Sequence, residues 1–221
     1  MNSIAKLIDY TLLKATAISE DVEGMCREAL DYKFASICIQ PVFVELCARL
    51  LAGSEVGVTT VIGFPFGATK PETKAFEATQ AVSDGATEVD MVMNIGEMLS
   101  GNLDVVQKDI ETVVKAVAGR AVVKVIIETA FLSPEQIAAA SKIVKASGAD
   151  FVKTSTGYGP GGAKIEDIRI IREAVGPDFG IKASGGISSY QTAKEMMAAG
   201  ATRFGASAAI KIVQEEKASL G

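Results

Sequence analysis

The sequence of 221 residues contains no histidine. A chain without imidazole has no Ser-His-Asp triad, no histidine proton shuttle and no histidine-based zinc site. It also lacks a Cys-x-x-Cys pair, and its three cysteines, Cys26, Cys38 and Cys47, lie in apolar stretches. An odd number of such cysteines favours reduced core thiols in the cytoplasm. Any chemistry must therefore use Lys, Asp, Glu, Tyr, Ser or Cys, and we expect neither a metal nor another cofactor.

Long apolar runs are missing as well. No stretch approaches the ~18 consecutive apolar residues of a membrane-spanning helix, and the first residues carry charges too early for a signal peptide. The formal net charge is −5, and the lysines are dispersed along the chain. These features predict a cytoplasmic protein that binds neither membranes nor nucleic acids.

What is present is an alternation of short apolar strands with helical segments. Strands are predicted at 9–14, 35–39, 56–62, 88–93 and 122–127, around Lys153 and Lys182, and at 202–205. Continuous apolar runs indicate parallel strands that are covered on both faces. An open doubly wound sheet and a closed barrel both fit this pattern. Eight strands in a chain of this length, without a dinucleotide fingerprint after the first strand, favour a single (β/α)8 TIM barrel. We expect one domain over residues 1–221, with a short N-terminal helix and α/β architecture.

Two lysines stand at predicted strand ends, each before a loop rich in glycine and small hydroxyl residues. Lys153 begins Lys-Thr-Ser-Thr-Gly157, and Lys182 begins Lys-Ala-Ser-Gly-Gly186. Either lysine could simply extend from the strand end to water. Two lysines held close together instead favour a neutral amine, which is the nucleophile that forms a Schiff base with a carbonyl substrate.

Carboxylates occupy the same predicted ends of the strands. Asp90 lies between apolar neighbours, where a buried charge requires a partner. It is either a structural partner of Lys124 or a proton acceptor and donor held against Lys182, and both interpretations remain open here. Glu128 could neutralise Lys124 only if the backbone bends between them. Asp9 and Ser207 are the other polar residues expected at this face of the barrel.

Glycines mark a candidate anion site. Gly185 and Gly186, and likewise Gly205 to Ser207, precede the last two helices. Loops after strands 7 and 8 of such barrels often bind phosphate through backbone N–H groups. The segment 159–162 could add a third wall. The alternative is that these glycines only permit close packing.

Seven motifs taken together resemble those of the class I deoxyribose-phosphate aldolases. They are Asp9-Tyr-Thr-Leu-Leu-Lys14, Ser36-Ile-Cys38, Ile62-Gly-Phe-Pro-Phe-Gly67 with Thr73-Lys74 and Glu77, Glu88-Val-Asp90, Lys124-Val-Ile-Ile-Glu-Thr129, Lys153-Thr-Ser-Thr-Gly157 and Lys182-Ala-Ser-Gly-Gly186. The similarity extends over nearly the whole chain.

The resemblance implies a role for each site residue. Lys153 would form the Schiff base, while Lys182 would favour its neutral amine and, with Asp90 and a water, relay protons. The residues implied in binding substrate or its phosphate are Asp9, Thr154, Gly157, Gly185, Gly186, Gly205 and Ser207, with Lys124 and Cys38 in support. The partners implied are a phosphorylated sugar and aldehydes, without a metal, and a homo-oligomer, either a dimer or a tetramer.

The sequence departs from the family pattern at Tyr10 and Ala15, where His and Pro are usual, and at Gln40, where Asn is common. Tyr158 resembles an aromatic variant of a position that is lysine in some relatives. Two other functions remain open at this stage: a Schiff-base aldolase acting on a ketose phosphate, and a non-catalytic phosphate-binding barrel.

Overall fold

The computed structural model describes residues 3–220, in which eight strands alternate with helices. The strands are β1 (Ile8–Leu12), β2 (Ser36–Ile39), β3 (Gly57–Ile62), β4 (Glu88–Val92), β5 (Val122–Ile126), β6 (Phe151–Lys153), β7 (Gly180–Ser184) and β8 (Arg203–Ala206). The helices are α1 (Ser19–Tyr32), α2 (Val44–Leu50), α3 (Pro71–Ser83), α4 (Ile95–Leu99), α5 (Leu103–Val117), α6 (Pro134–Ala146), α7 (Ile165–Val175), α8 (Tyr190–Ala199) and α9 (Ala209–Leu220). Short 3-10 helices cover Ile4–Leu7, Pro41–Phe43 and Thr129–Phe131.

The eight strands close into one parallel barrel in chain order, with β1 pairing both β2 and β8. This confirms the predicted (β/α)8 barrel and excludes the open sheet. The domain predicted over residues 1–221 includes residues 1, 2 and 221, which lie outside the described part of the chain.

The sequence also predicts helix ends: Ser133 caps one helix, Ser188 begins another, one long helix follows the fourth strand to about residue 117, and the last helix covers 206–217. The structure confirms the first of these and differs on the other three. Ser133 caps α6 as predicted, since its Oγ accepts from the Gln136 N–H and the Gln136 side chain accepts from the Ser133 N–H. The cap of α8 is Ser189 rather than the predicted Ser188, because the Ser189 side chain accepts from the Thr192 N–H. The long helix predicted to end near residue 117 is divided into α4 and α5 at residues 100–102. The last helix begins at Ala209 and not at residue 206.

The main apolar core lies outside the barrel, between the strands and the helices. In β7, Ile181 and Ala183 point outward into this layer and are fully buried there. Fully burying an aliphatic side chain stabilises the fold by roughly 1.5–3 kcal/mol. Within residues 3–220, no helix combines the length and the apolar character needed to cross a membrane.

Most residues that point into the barrel are polar, and below the cavity they form three layers of four. Because side chains alternate along a strand, the register assigns each inward residue to one layer. The lower layer is Ser36, Glu88, Phe151 and Arg203. The middle layer is Asp9, Thr59, Lys124 and Lys182. The upper layer, nearest the carboxyl ends of the strands, is Cys38, Asp90, Lys153 and Gly205.

Candidate active site

Asp90 is the acceptor shared by three lysines inside the barrel. It is the third residue of β4 and is fully buried. Its Oδ2 lies 2.7 Å from the Nζ of Lys153 and 2.7 Å from the Nζ of Lys182. Its Oδ1 lies 2.9 Å from the Nζ of Lys124. The two interpretations of Asp90 are thus compatible, because one carboxylate contacts Lys124 and both candidate catalytic lysines.

The two candidate catalytic lysines occupy different depths. Lys153 is the last residue of β6, as predicted, and only 3% of it is exposed. Lys182 is not at a strand end: it is the middle residue of β7 and is fully buried. The sequence prediction was wrong on this point because β7 continues for two residues beyond Lys182. The lysine that ends its strand therefore lies nearer the mouth of the barrel, and Lys182 lies beneath it.

Asp9 and Asp90 also lie within their strands and not at the carboxyl ends where we expected them. Asp9 contacts Lys182 and accepts from the Nε of Arg203 at 2.6 Å. Ser36 on the neighbouring strand donates to the same Asp9 carboxylate at 2.7 Å. Asp9 thus pairs with Lys182 within the middle layer and does not line the cavity above.

Six charged side chains form a closed ring across the barrel, which we call the ion-pair ring. In order around the ring they are Arg203, Asp9, Lys182, Asp90, Lys124 and Glu88. The ring closes between the Nη2 of Arg203 and the Oε1 of Glu88, which are 2.7 Å apart. Charges of opposite sign alternate at each step, and Lys153 is attached from outside the ring through Asp90.

Sequence reasoning missed Arg203 and Glu88. Both carry a usable signal, since each stands two residues before a predicted site residue in a strand, Gly205 and Asp90 respectively. Side chains two residues apart in a strand point to the same face. The conditional pairing of Lys124 with Glu128 does not form. Lys124 is paired with Asp90, as one interpretation of Asp90 expected, and also with Glu88 and, more distantly, Asp9.

The ion-pair ring favours the charged forms of Asp9, Asp90 and Lys182. Burial alone would raise the pKa of Asp9 and Asp90, but the surrounding cations outweigh it and hold both pKa values well below their usual range. Burial alone would lower the pKa of Lys182, yet Asp9 and Asp90 raise it above that of a free lysine. Lys182 is therefore a permanent cation next to Lys153.

Above the ring lies a cavity of about 240 Å³ that opens at the carboxyl ends of the strands. Its lining comprises Thr11, Leu13, Lys153, Thr156, Gly157, Ser184, Gly185, Gly186, Ile187, Gly205, Ala206 and Ser207. Of the site residues predicted from sequence, the structure brings Lys153, Gly157, Gly185, Gly186, Gly205 and Ser207 together at this cavity. A wider vestibule of about 760 Å³ shares five of these lining residues and continues outward past Tyr10 and Tyr158.

Two predicted residues, Thr154 and Cys38, do not line the cavity. The Thr154 hydroxyl donates to the Ser184 carbonyl at 3.2 Å and accepts from the Ser184 N–H at 3.1 Å, which ties β6 to β7. Cys38 is fully buried in a small apolar cluster with Leu13 and Val61, and burial raises the pKa of its thiol. Both residues therefore support the site from outside the cavity.

Gly205 leaves room directly over Lys182. A Cβ at this position would lie 3.2 Å from the Cε of Lys182 and 3.0 Å from the Cβ of Ser184. Any larger side chain would occupy the space between the ion-pair ring and the cavity. A glycine at position 205 thus keeps this space open, in addition to any contribution to helix packing.

Glu128 organises the loop after Lys153, a function that the sequence did not predict. Its backbone is left-handed, with φ of 51°, which turns the buried carboxylate toward the next loop. That carboxylate accepts from the Thr156 N–H and hydroxyl. Glu128 thereby fixes the segment that carries Gly157 to the cavity wall.

Gln40, which departs from the family pattern, and the aromatic variant Tyr158 meet at one carbonyl. The Tyr158 hydroxyl donates to the Leu13 carbonyl at 2.6 Å, and the Gln40 amide donates to the same oxygen at 2.8 Å. Tyr10, another departure, donates to Glu28 at 2.8 Å. These residues shape the rim of the vestibule and leave the lysine cluster untouched.

The arrangement combines a lysine at the cavity floor, a permanent cation beneath it and a carboxylate that contacts both. These are the groups that amine-based carbonyl chemistry requires. Within residues 3–220 no group of three or more Asp, Glu or Cys residues is placed to hold a metal ion.

Comparison with known proteins gives a consistent result. The sequence profile of the DeoC/LacD family aldolases matches residues 4–215. The deoxyribose-phosphate aldolase of Thermoanaerobacter sp. (strain X514) is 56% identical, over 96% of this chain and 96% of that protein. The corresponding enzyme of Clostridium tetani (strain Massachusetts / E88) is 54% identical, over 97% of this chain and 99% of that protein.

A solved structure agrees with this result. The deoxyribose phosphate aldolase from Aeropyrum pernix, described as a unique tetramer, superposes with a TM-score of 0.90 at 35% identity. The match covers 98% of this chain and 92% of that one. With the profile, the relatives and the fold in agreement, this chain belongs to the DeoC/LacD family of aldolases.

Proposed function

We propose that this aldolase interconverts 2-deoxy-D-ribose 5-phosphate with acetaldehyde and D-glyceraldehyde 3-phosphate through a Schiff base on Lys153. The observation that carries the proposal is the placement of Lys153. Among residues 3–220 it is the only lysine that lines the cavity above the ring, and Asp90 and Lys182 lie immediately behind it. The names of the most similar relatives support the choice of substrate.

In the cleavage direction, the neutral Nζ of Lys153 attacks C1 of the open-chain aldehyde. Loss of water then leaves an iminium ion. The C3 hydroxyl loses its proton as the C2–C3 bond breaks, and the electron pair of that bond passes into the enamine. Glyceraldehyde 3-phosphate leaves with C3 as its aldehyde carbon. Protonation of the enamine at C2 and hydrolysis of the iminium ion release acetaldehyde and restore the lysine.

Asp90 and Lys182 act on these steps from below. The Oδ2 of Asp90, which contacts both lysines, accepts and returns protons through a water. Lys182 remains charged and favours the neutral amine of Lys153 by like-charge repulsion. Gly185, Gly186, Gly205 and Ser207 also line the cavity, and backbone N–H groups of these loops bind the phosphate.

The proposal extends to the pathway, the cellular location and the assembly of the enzyme. The reaction would serve deoxyribose phosphate catabolism in the cytoplasm, in a homo-oligomer of single-domain subunits. Support for this setting comes from the reduced cysteines expected of a cytoplasmic protein and from the tetramer described for the Aeropyrum pernix enzyme.

Reductive trapping tests the assignment of Lys153. Borohydride added together with acetaldehyde reduces the Schiff base to a stable ethyl-lysine, which peptide mapping locates. We expect the ethyl group on Lys153, no trapping in Lys153→Leu, and slow trapping with an optimum at higher pH in Lys182→Leu. Lys142→Leu, on the exposed face of α6, is the matched control and should be trapped like the wild type.

Two results would contradict the proposal. An adduct on Lys182 would reverse the roles of the two lysines, and the absence of any trapped lysine would remove the aldolase mechanism. Activity on a ketose phosphate with none on acetaldehyde would keep the mechanism but change the substrate.

A further inference from the structure

The ion-pair ring is balanced in charge without Lys153. Its members are three cations, Arg203, Lys182 and Lys124, and three carboxylates, Asp9, Asp90 and Glu88. With Lys153 neutral, the formal charge of the whole cluster is zero. With Lys153 protonated, the cluster carries one uncompensated positive charge in the barrel interior. Lys153 is thus the one cation of this cluster for which the ring holds no anion of its own.

Arg203 completes this balance from a position remote from the cavity. It belongs to the lower layer of the barrel, whereas Lys153 belongs to the upper layer, and Arg203 is absent from the cavity lining. Its guanidinium spans the barrel from the Asp9 Oδ1, 2.6 Å from Nε, to the Glu88 Oε1, 2.7 Å from Nη2. By binding Oδ1 of Asp9, it leaves Oδ2 directed at Lys182.

We propose that Arg203 is a positioning residue for the reaction, which closes the ion-pair ring and leaves Lys153 as the cation in excess of the ring's three carboxylates. This inference rests on the proposed Schiff base at Lys153. Without Arg203, the ring would carry one net negative charge, which the ammonium of Lys153 would compensate. Arg203 therefore promotes the neutral amine without touching substrate.

The charged and titratable groups around Lys153 come from every neighbouring element. They are Asp9 on β1, Cys38 on β2, Glu88 and Asp90 on β4, Lys124 on β5, Glu128 and Tyr158 in the loops above, Lys182 on β7 and Arg203 on β8. Arg203 and Glu88 are the pair in which charge can be changed without altering a group that contacts Lys153 or Asp90. They therefore provide the cleanest test of charge balance.

The experiment measures borohydride trapping by acetaldehyde as a function of pH, together with kcat and KM. Arg203→Gln removes a positive charge from the ring, and we expect the pH of half-maximal trapping to rise by about one unit. Glu88→Gln removes a negative charge, and we expect a shift of similar size in the opposite direction. The double variant restores the balance and should trap near the wild-type pH, because the two opposite shifts cancel.

Two further variants separate charge from structure. Arg203→Lys keeps the charge and should recover most of the wild-type pH profile. Arg169→Gln, on the exposed face of α7, is the matched control and should leave the profile unchanged. In Arg203→Gln we expect kcat at neutral pH to fall roughly tenfold while KM stays within about twofold, because Arg203 does not line the cavity.

Each outcome bears on the inference. Shifts of the same sign in Arg203→Gln and Glu88→Gln, or no shift in either folded variant, would overturn it. If one single variant fails to fold, the other single variant and the charge-balanced double variant still show the direction in which the pH of half-maximal trapping shifts. Failure to trap the wild type on Lys153 would instead overturn the proposed function, so the two failures are distinguishable.

Discussion

Lys153 and Lys182 donate to the same oxygen atom, Oδ2 of Asp90, each across 2.7 Å. Two ammonium groups on one oxygen repel each other, and the arrangement is relieved when Lys153 becomes a neutral amine. The adjacent registers of β6 and β7, which pair Lys153 with Lys182 directly, enforce this proximity. The pairing of the two strands thus sets the charge conflict on which the proposed chemistry depends.

Asp90→Asn should be among the most destabilising single changes in the barrel interior. It leaves three buried lysines without their common anion, and breaking a buried ion pair in this way costs about 3–5 kcal/mol. Urea denaturation at pH 7 should show the loss, with the retro-aldol reaction abolished. The loss should shrink as the pH rises toward the pKa of about 10.4 of an unfolded lysine, since neutral amines are buried more easily. A constant loss between pH 7 and pH 10 would contradict this account.

Acid should weaken the fold through Asp9. Its pKa is lower in the folded protein than in the unfolded chain, because Lys182, Lys124 and Arg203 outweigh the effect of burial. Such a group contributes its full stability above the unfolded pKa of about 3.9 and loses it progressively as the pH falls below that value.

The measurement is the free energy of unfolding of wild type and Asp9→Asn between pH 6 and pH 2. We expect the two values to converge as the pH falls, because protonation removes from the wild type what the substitution has already removed. Asp104→Asn, on the exposed first turn of α5, is the control, and its free energy of unfolding should change with pH in parallel with that of the wild type. Parallel curves for Asp9→Asn would show that its ion pairs do not govern acid stability.

Ser207→Asp should impair the binding of phosphorylated substrate. Ser207 lines the cavity beside Gly185, Gly186 and Gly205, so a carboxylate there would repel the phosphate. KM for deoxyribose 5-phosphate should rise at least tenfold, with a much smaller change for unphosphorylated deoxyribose. Ser207→Asn is the control for size, because it adds a similar side chain without a charge. Ser83→Asp, at the exposed end of α3, is the control for a negative charge far from the cavity. An equal loss on both substrates would place the phosphate elsewhere.

Gly162→Ala should separate the two loops that enclose the cavity. A Cβ on Gly162 would lie 2.3 Å from the carbonyl oxygen of Gly185. The backbone must then move, which weakens the hydrogen bonds from the Ala163 N–H to Ser184 at 3.0 Å and Gly185 at 3.1 Å. We expect a loss of about 1–3 kcal/mol in stability and a higher KM for the phosphorylated substrate.

Gly161→Ala is the neighbouring control for that prediction. Its Cβ would lie 3.3 Å from the side chain of Ala130, with no backbone atom as close. Thermal denaturation should therefore show a smaller loss than in Gly162→Ala. Equal losses would mean that the close approach of Gly162 to Gly185 is not what fixes the loops.

The sequence predicted the barrel and half of the residues that line the cavity, because apolar strand runs and glycine-rich loops are local signals. It did not predict how far below the mouth of the barrel each inward side chain lies. Lys182 was expected at a strand end because glycines follow it, yet pairing with β8 extends the strand two residues further. Depth inside a barrel depends on the registers of neighbouring strands, and these are set by contacts distant in sequence.

The sequence failed to predict the roles of Arg203 and Glu88 for the same reason. Arg203 and Glu88 are 115 positions apart in the chain, and only closure of the barrel brings them together. Glu128 was considered as a partner of Lys124 because the two are close in sequence. Its left-handed backbone turns it instead toward Thr156, 28 positions further along. Local patterns can name candidates for a charge network, but they cannot assign its partners.

Alternation along β7 has a consequence for engineering. Ile181 and Ala183 face the helices, whereas Lys182 and Ser184 face the barrel interior. Folding and chemistry are thereby assigned to opposite faces of the same five residues. A library of variants at the outward positions would vary thermal stability. A library of variants at the inward positions would vary the range of substrates accepted. Because the two sets share no side chain, gains selected separately on each face can be combined in one gene.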